Sequence, residues 1–175
     1  MTKYIAFLRA INVGGNSIIK MADLKQMFES FGLENVQTYI QSGNVIFESD
    51  EKDASVLEGR IERQLEKAFG KKIQLFVRTI RQVVSIVKAC PFDPKDGESA
   101  YVVILDKKPD KKSMDALMAF RSEYDDFVVK GKEGYQLRRS REKTTFVNHS
   151  VEQILGVPGT SRNLTTIKKL VEKYA

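Results

Sequence analysis

The sequence has one cysteine and one histidine in 175 residues. Cys90 alone closes no internal disulfide, and with His149 it supplies too few soft ligands for a Cys-cluster or His-based metal centre. No cofactor motif is present either. No apolar run approaches the roughly 20 residues that span a bilayer. The N-terminus, MTKYIAFLRAINVGGN, has an apolar stretch only from Tyr4 to Leu8 and lacks the plan of a secretory signal. A cytoplasmic protein with no membrane association is therefore expected. No segment is low-complexity, and the two halves share no repeated sequence. What is present is ordinary for a soluble globular chain: 42% hydrophobic and 30% charged residues. A chain this long buries roughly 70% of the surface its unfolded form exposes, so it needs no staple.

Lys and Arg number 29 against 23 Asp and Glu, a net charge of +6. Most charges are interspersed, as in Asp50-Glu51-Lys52-Asp53, which reads as a solvated surface. The stretch Lys130 to Lys143, KGKEGYQLRRSREK, is more lopsided. Such a patch would attract phosphates by counterion release. Strand alternation would place Arg138 and Arg139 on opposite faces and dilute it.

Hydrophobic periodicity divides the chain into alternating elements. Tyr4 to Arg9 reads as a buried strand. Met21, Leu24, Phe28 and Phe31 recur at helical spacing, with Gly32 ending the helix. Val36 to Gln41 and Val45 to Ser49 flank Ser42-Gly43-Asn44 as a hairpin. Leu57, Ile61, Leu65 and Ala68 stripe a second helix, stopped by Gly70, and Ile73 to Arg78 is the next strand. The order β-α-β-β-α-β is the split βαβ, or ferredoxin-like, plan. After a helix from Ile80 to Ala89, capped by Thr79, the second half reads as a strand at Tyr101 to Leu105 and a short helix around Met114 to Met118. A hairpin over Asp126 to Arg139, one or two helical turns at Val151 to Leu155 and a final helix from Asn163 to Tyr174 follow. That is β-α-β-β-α, a similar layout lacking its last strand. The expected class is α+β, with a ferredoxin-like subdomain over 1–79 and a second α+β subdomain over 80–175, or one compact domain formed by both.

In the first half, Val36, Thr38, Ile40, Ile73, Leu75 and Val77 suit a helix-covered sheet face. Tyr39, Gln41, Gln74, Phe76 and Arg78 would then fall on the other face. Aromatic and basic groups on an open sheet can stack bases. The alternative is a face buried by the second half. The return strand SGNVIFES lacks the basic start and aromatic spacing of the RNA-recognition signature.

Three segments concentrate polar groups and backbone N–H donors. They are Arg9 to Asn16 after the first strand, Gln41 to Asn44 at the hairpin tip, and Gly159 to Asn163 before the last helix. Glycine-rich turns and helix N-termini favour anions, and Arg9 and Arg162 offer bidentate contacts to a carboxylate or phosphate. The same residues also read as tight turns and caps, with Gly43 supplying a positive φ and Ser161 an N-cap. The glycine loop matches neither phosphate-binding fingerprint.

At these residues the chain resembles a widespread, mostly bacterial family, domain of unknown function family 1697. The shared patterns are an LRGINVGG-like start, here Leu8 to Gly15, a methionine opening the first helix, Met21, then TYIQSGN, Thr38 to Asn44, and a closing TxRNWNT, here Thr160 to Thr166. Ala10 stands at the family's usual glycine, Leu164 at its tryptophan and Thr165 at its second asparagine. The resemblance implies an α+β fold with a ferredoxin-like first half and supplies no activity. Carried over residue by residue, the candidate ligand contacts are Arg9, Asn12, Gly14, Gly15, Asn16, Tyr39, Ser42, Gly43, Asn44, Arg162, Asn163 and Thr166.

No catalytic triad is visible. His149 reads as a surface or helix-start residue, Cys90 as a buried, inert thiol, and Glu62 and Glu66 as part of a solvated helix face. The leading expectation is a binding protein for an anionic or phosphorylated small ligand at the three motif segments, which must then meet. The alternatives are a nucleic-acid-binding module using the 130–143 stretch, and a metal-free enzyme of unnamed reaction on the same cluster.

Overall fold

The structure is a computed structural model and describes residues 1–9, 19–40 and 43–175. The chain forms two compact units, Met1–Val83 and Val84–Ala175. In the first, β1 (Thr2–Leu8), α1 (Met21–Ser30), β2 (Glu34–Tyr39), β3 (Asn44–Ser49), α2 (Ala54–Phe69) and β4 (Leu75–Thr79) follow the β-α-β-β-α-β order, and the chain then enters α3 (Ile80–Ala89). The sheet order β2-β3-β1-β4, all antiparallel, is the ferredoxin-like arrangement.

Register explains the core. Tyr4 lies opposite Phe47, and Ala6 lies opposite both Val45 and Val77. Opposed residues share a face, so Tyr4, Ala6, Leu8, Val45, Phe47, Leu75 and Val77 form one apolar layer. Leu24 and Phe28 from α1, and Leu57, Ile61 and Leu65 from α2, pack on it at i, i+4 spacing. α2 is well bounded. The Asp53 carboxylate accepts from Ser55 N at 2.9 Å, and Gly70, at φ 69°, ends it with its N–H donating to Glu66 O. Thr79 and Gln82 exchange hydrogen bonds at the start of α3, a capping box at the expected residue.

The expected β2 face fails beyond Val36. A register shift lies between Glu34 and Gln37, with Asn35 at φ 50°. The strand ends at Tyr39, and Ile40 is 50% exposed rather than covered. Apolar alternation across six residues could not show the bulge. On the opposite face of this sheet Phe76 and Arg78 are buried, at 1% and 6% exposure, so neither serves as an exposed stacking platform.

In the second unit, β5 (Ser99–Leu105), α4 (Lys111–Met118), β6 (Asp125–Lys130), β7 (Glu133–Arg138), α5 (Val151–Leu155), β8 (Gly159–Asn163) and α6 (Leu164–Tyr174) follow the end of α3. The sheet order β6-β7-β5-β8 repeats that of the first unit. The last strand, expected to be missing, is present. Its sequence GTSRN carries no apolar alternation because its buried positions are Gly159, Thr160 and Arg162. It pairs with β5 from Tyr101↔Asn163 to Leu105↔Gly159. Ser161 therefore lies within a strand. The α6 cap is Asn163, whose Oδ1 accepts from Thr165 N at 2.9 Å.

One sheet face packs Val103, Leu105 and Phe127 against Leu117, Phe146, Val151 and Leu155. Asp125 is fully buried, and both its oxygens accept from Thr144 Oγ1 at 2.7 Å. Cys90 is half-buried rather than buried, and its Sγ–H donates to Phe92 O at 3.6 Å.

Candidate functional site

Of the predicted contacts, four described ones lie in the first unit, and three of them, Tyr39, Gly43 and Asn44, meet at the hairpin tip. Phe7 pairs with Asn44, and Leu8 N donates to Gly43 O at 2.9 Å, which ties the end of β1 to the hairpin tip. Asn44 is fully buried, and its Nδ2 donates to Tyr39 O at 3.0 Å, closing the turn across its base. Gly43 has φ 79°, as the turn reading required. Arg9 leaves β1 on the β4 side. Its N–H donates to Gln74 O at 2.8 Å and its Nη1 to Gln74 Oε1 at 3.3 Å. Asn12, Gly14, Gly15, Asn16 and Ser42 lie outside the described residues.

Ile40 sits within the motif at φ 51°. A β-branched residue in the left-handed region is strained, typically by about 1–2 kcal/mol. Such strain concentrates at functional sites. Since Ile40 is half exposed and buries little, Ile40→Gly should raise stability by about 1 kcal/mol. Urea unfolding midpoints check this; an unchanged or lower midpoint would show that the turn is unstrained.

Beside Arg9 the first unit opens a cleft of 660 Å³, lined by Arg63, Glu62 and Glu66 from α2 and by Lys71, Lys72 and Gln74 from the segment that leads into β4. The Glu62 carboxylate is engaged, accepting from Leu75 N at 3.0 Å, and Glu58 likewise accepts from Val77 N at 2.7 Å. β4 is an edge strand, so these glutamates satisfy its outward N–H groups. Glu62 is thus not part of an idle solvated face. Among the described residues, Arg63, Lys71 and Lys72 form no ion pair. Four cations face two glutamates in this cleft, leaving an excess of positive charge. Sequence reading missed Arg63, Lys71 and Lys72. The Lys-Lys pair directly after the helix-stopping Gly70 was the available signal.

The remaining predicted contacts belong to the second unit. Arg162 is 7% exposed on β8. Its Nη1 donates to Thr160 Oγ1 at 2.8 Å and to Ser161 O at 2.9 Å. Burial lowers its guanidinium to about 10, still far above neutral pH, so it stays charged. Asn163 serves as the α6 cap, and Thr166 is half-buried in the first turns of that helix.

The basic stretch 130–143 is divided. Lys130 Nζ donates to Ala89 O at 2.7 Å, Arg138 Nη2 reaches Phe146 O at 3.4 Å, and Arg139 lies 3.9 Å from the Asp126 carboxylate. His149 is exposed, its ring 5.0 Å from that of Phe120. Among the described residues, no group of three or more His, Cys, Asp or Glu is placed to hold a metal ion, and no helix is long and apolar enough to cross a membrane.

The motif residues and the fold point the same way as a family comparison. A family described as a protein of unknown function, DUF1697, matches residues 1–135. The chain belongs to this family. In fold, this DUF1697 chain is similar to the conserved bacterial protein SP0830 from Streptococcus pneumoniae, with a TM-score of 0.74 and 22% identity over 98% of this chain and 97% of that one. That likeness speaks to architecture alone. No curated relative matches the sequence. The family description assigns no activity.

Proposed function

We propose that the protein is a cytoplasmic binding protein for a small anionic ligand, with phosphate or a phosphorylated metabolite as the favoured class. The observation that carries this is the unneutralised cationic cleft directly beside Arg9, the first charged residue of the family motif. Arg63, Lys71 and Lys72 supply charge, and Arg9, steadied by Gln74, supplies a planar fork of donors. Asn12, Gly14, Gly15 and Asn16 follow Arg9 in sequence and lie outside the described residues. Tyr39, Gly43 and Asn44 shape the neighbouring turn rather than donate charge.

A charge-matched pair of variants tests this. Lys71→Ala/Lys72→Ala removes two cations from the cleft. Lys107→Ala/Lys108→Ala removes two exposed cations from the connection between β5 and α4. Equal loss of affinity for inorganic phosphate in both would reduce the effect to net charge. Loss of about tenfold in the cleft variant alone, equivalent to about 1.4 kcal/mol, is expected.

The divided basic stretch and the burial of Phe76 and Arg78 weigh against nucleic acid as the partner.

A further inference from the structure

A second pocket lies wholly within the Val84–Ala175 unit. Its floor is the sheet face that α4 and α5 cover only in part. In register across that face run Phe127, Gln136, Tyr101 and Asn163. The next row holds Asp125 opposite Arg138. α5 is only five residues long, and the sheet beyond its first turn opens into a pocket of 250 Å³. Gln136, Arg138, Tyr101 and Ser161 reach this pocket from the strands, and His149 and Glu152 stand at its wall.

One group on this floor has no structural use. Arg138 Nε is buried without a partner among the described residues, and Nη2 makes a long hydrogen bond to Phe146 O at 3.4 Å. Gln136, 7% exposed, lines the pocket beside it. Asp125, although opposite Arg138 in register, is engaged by Thr144 and forms no ion pair with it. Buried polar groups are normally satisfied, and a guanidinium nitrogen left unpartnered beside a cavity needs an explanation.

We propose that this pocket binds a small organic carboxylate. The residues lining the cavity are donor-rich: the Arg138 guanidinium, the Gln136 amide and the Tyr101 and Ser161 hydroxyls stand against Glu152 as the acidic group. A carboxylate matches that set, with Arg138 as its counter-ion and Gln136 as an amide donor. The volume lies just below the usual range for drug-sized ligands, so the molecule has few heavy atoms. Glu152 at the wall suits an amino group, which would mark an α-amino acid out from a plain carboxylic acid. No residue lines both this pocket and the cleft beside Arg9, and the proposal does not rest on that cleft.

The test is a titration of the full chain with acetate, succinate and glycine, followed by amide correlation spectra. The expected result is saturable shifts at the backbone amides of Tyr101, Gln136 and Ser161 with at least one of the three. The affinity should fall about tenfold or more in Gln136→Leu and be unaltered in Lys71→Ala/Lys72→Ala. Preference for glycine would assign the amino-acid arm, and preference for acetate or succinate the plain acid. Should Gln136→Leu fail to fold, Ser161→Ala, at an exposed strand position, provides the same comparison with a weaker loss. Shifts that do not saturate with any of the three, or an affinity unmoved in the variants, would overturn the proposal.

Discussion

Phe47→Ala is expected to lower the free energy of unfolding by about 3–5 kcal/mol. Phe47 is fully buried at the middle of β3. Its ring stacks on Tyr4 at 5.6 Å and 24°, and meets Phe28 from α1 at 5.8 Å and 60°. Sheet and helix thus close on the same ring from two sides. Tyr4 is held in place by its own hydrogen bond to Glu51 O at 2.7 Å, and the strand backbones are fixed by their ladders. The walls of the resulting cavity therefore cannot collapse onto it, which puts the cost in the upper part of the range for large-to-small changes. Denaturant unfolding of wild type and variant checks this. A loss below about 1 kcal/mol would mean that the ring is not enclosed as described.

Gly159→Ala is expected to cost about 3 kcal/mol, and the reason is backbone rather than side chain. A Cβ at Gly159 would stand 2.8 Å from Ile104 O and 2.9 Å from Leu105 Cδ2. The leucine tip can turn aside. The Ile104 carbonyl cannot, because Ile104 and Leu105 lie opposite Thr160 and Gly159 in the β5–β8 ladder. Asp106 N donates to Pro158 O at 2.9 Å and pins the same end of the pair. Gly134→Ala is the matched control. Its Cβ would meet only side-chain atoms, at 3.4 Å, so its cost should stay near or below about 1 kcal/mol. Thermal midpoints of the two variants decide the point, and equal effects would show that β8 shifts freely against β5.

Most of the fold could be read from periodicity, and its failures have a common physical cause. α1, α2 and α6 carry apolar residues at i, i+3 and i+4, and each was legible. β5 was legible as a continuous apolar run. β8 was not, because a strand recognised by burying apolar residues is invisible when it buries threonine and arginine instead. The end of β2 failed similarly: Ile40 looks like a core residue by type, and only its backbone conformation turns it outwards. The candidate site was legible in part. Arg9, Gly43 and Asn44 stood out as motif residues; the structure ties Gly43 and Asn44 to β1 on its β3 side and Arg9 to Gln74 on its β4 side. Arg63, Lys71 and Lys72 did not stand out, because a cation on a helix face or after a helix stop looks the same whether it faces open solvent or a cleft. Arg138 illustrates the same limit from the inside, since nothing in Tyr-Gln-Leu-Arg says that its Nε is buried without a partner.

The most direct measurement is a thermal-shift titration at fixed salt with inorganic phosphate, sugar phosphates, nucleotides and a mixed-sequence RNA, on wild type and Arg9→Ala in parallel. A ligand that binds the native state raises stability by about 2.7 kcal/mol at a hundredfold excess over its dissociation constant. The predicted result is a saturable rise in midpoint with one small phosphorylated compound, abolished in Arg9→Ala. A rise with RNA alone, or the same rise in Arg9→Ala as in wild type, would contradict an anion site at the cleft beside Arg9.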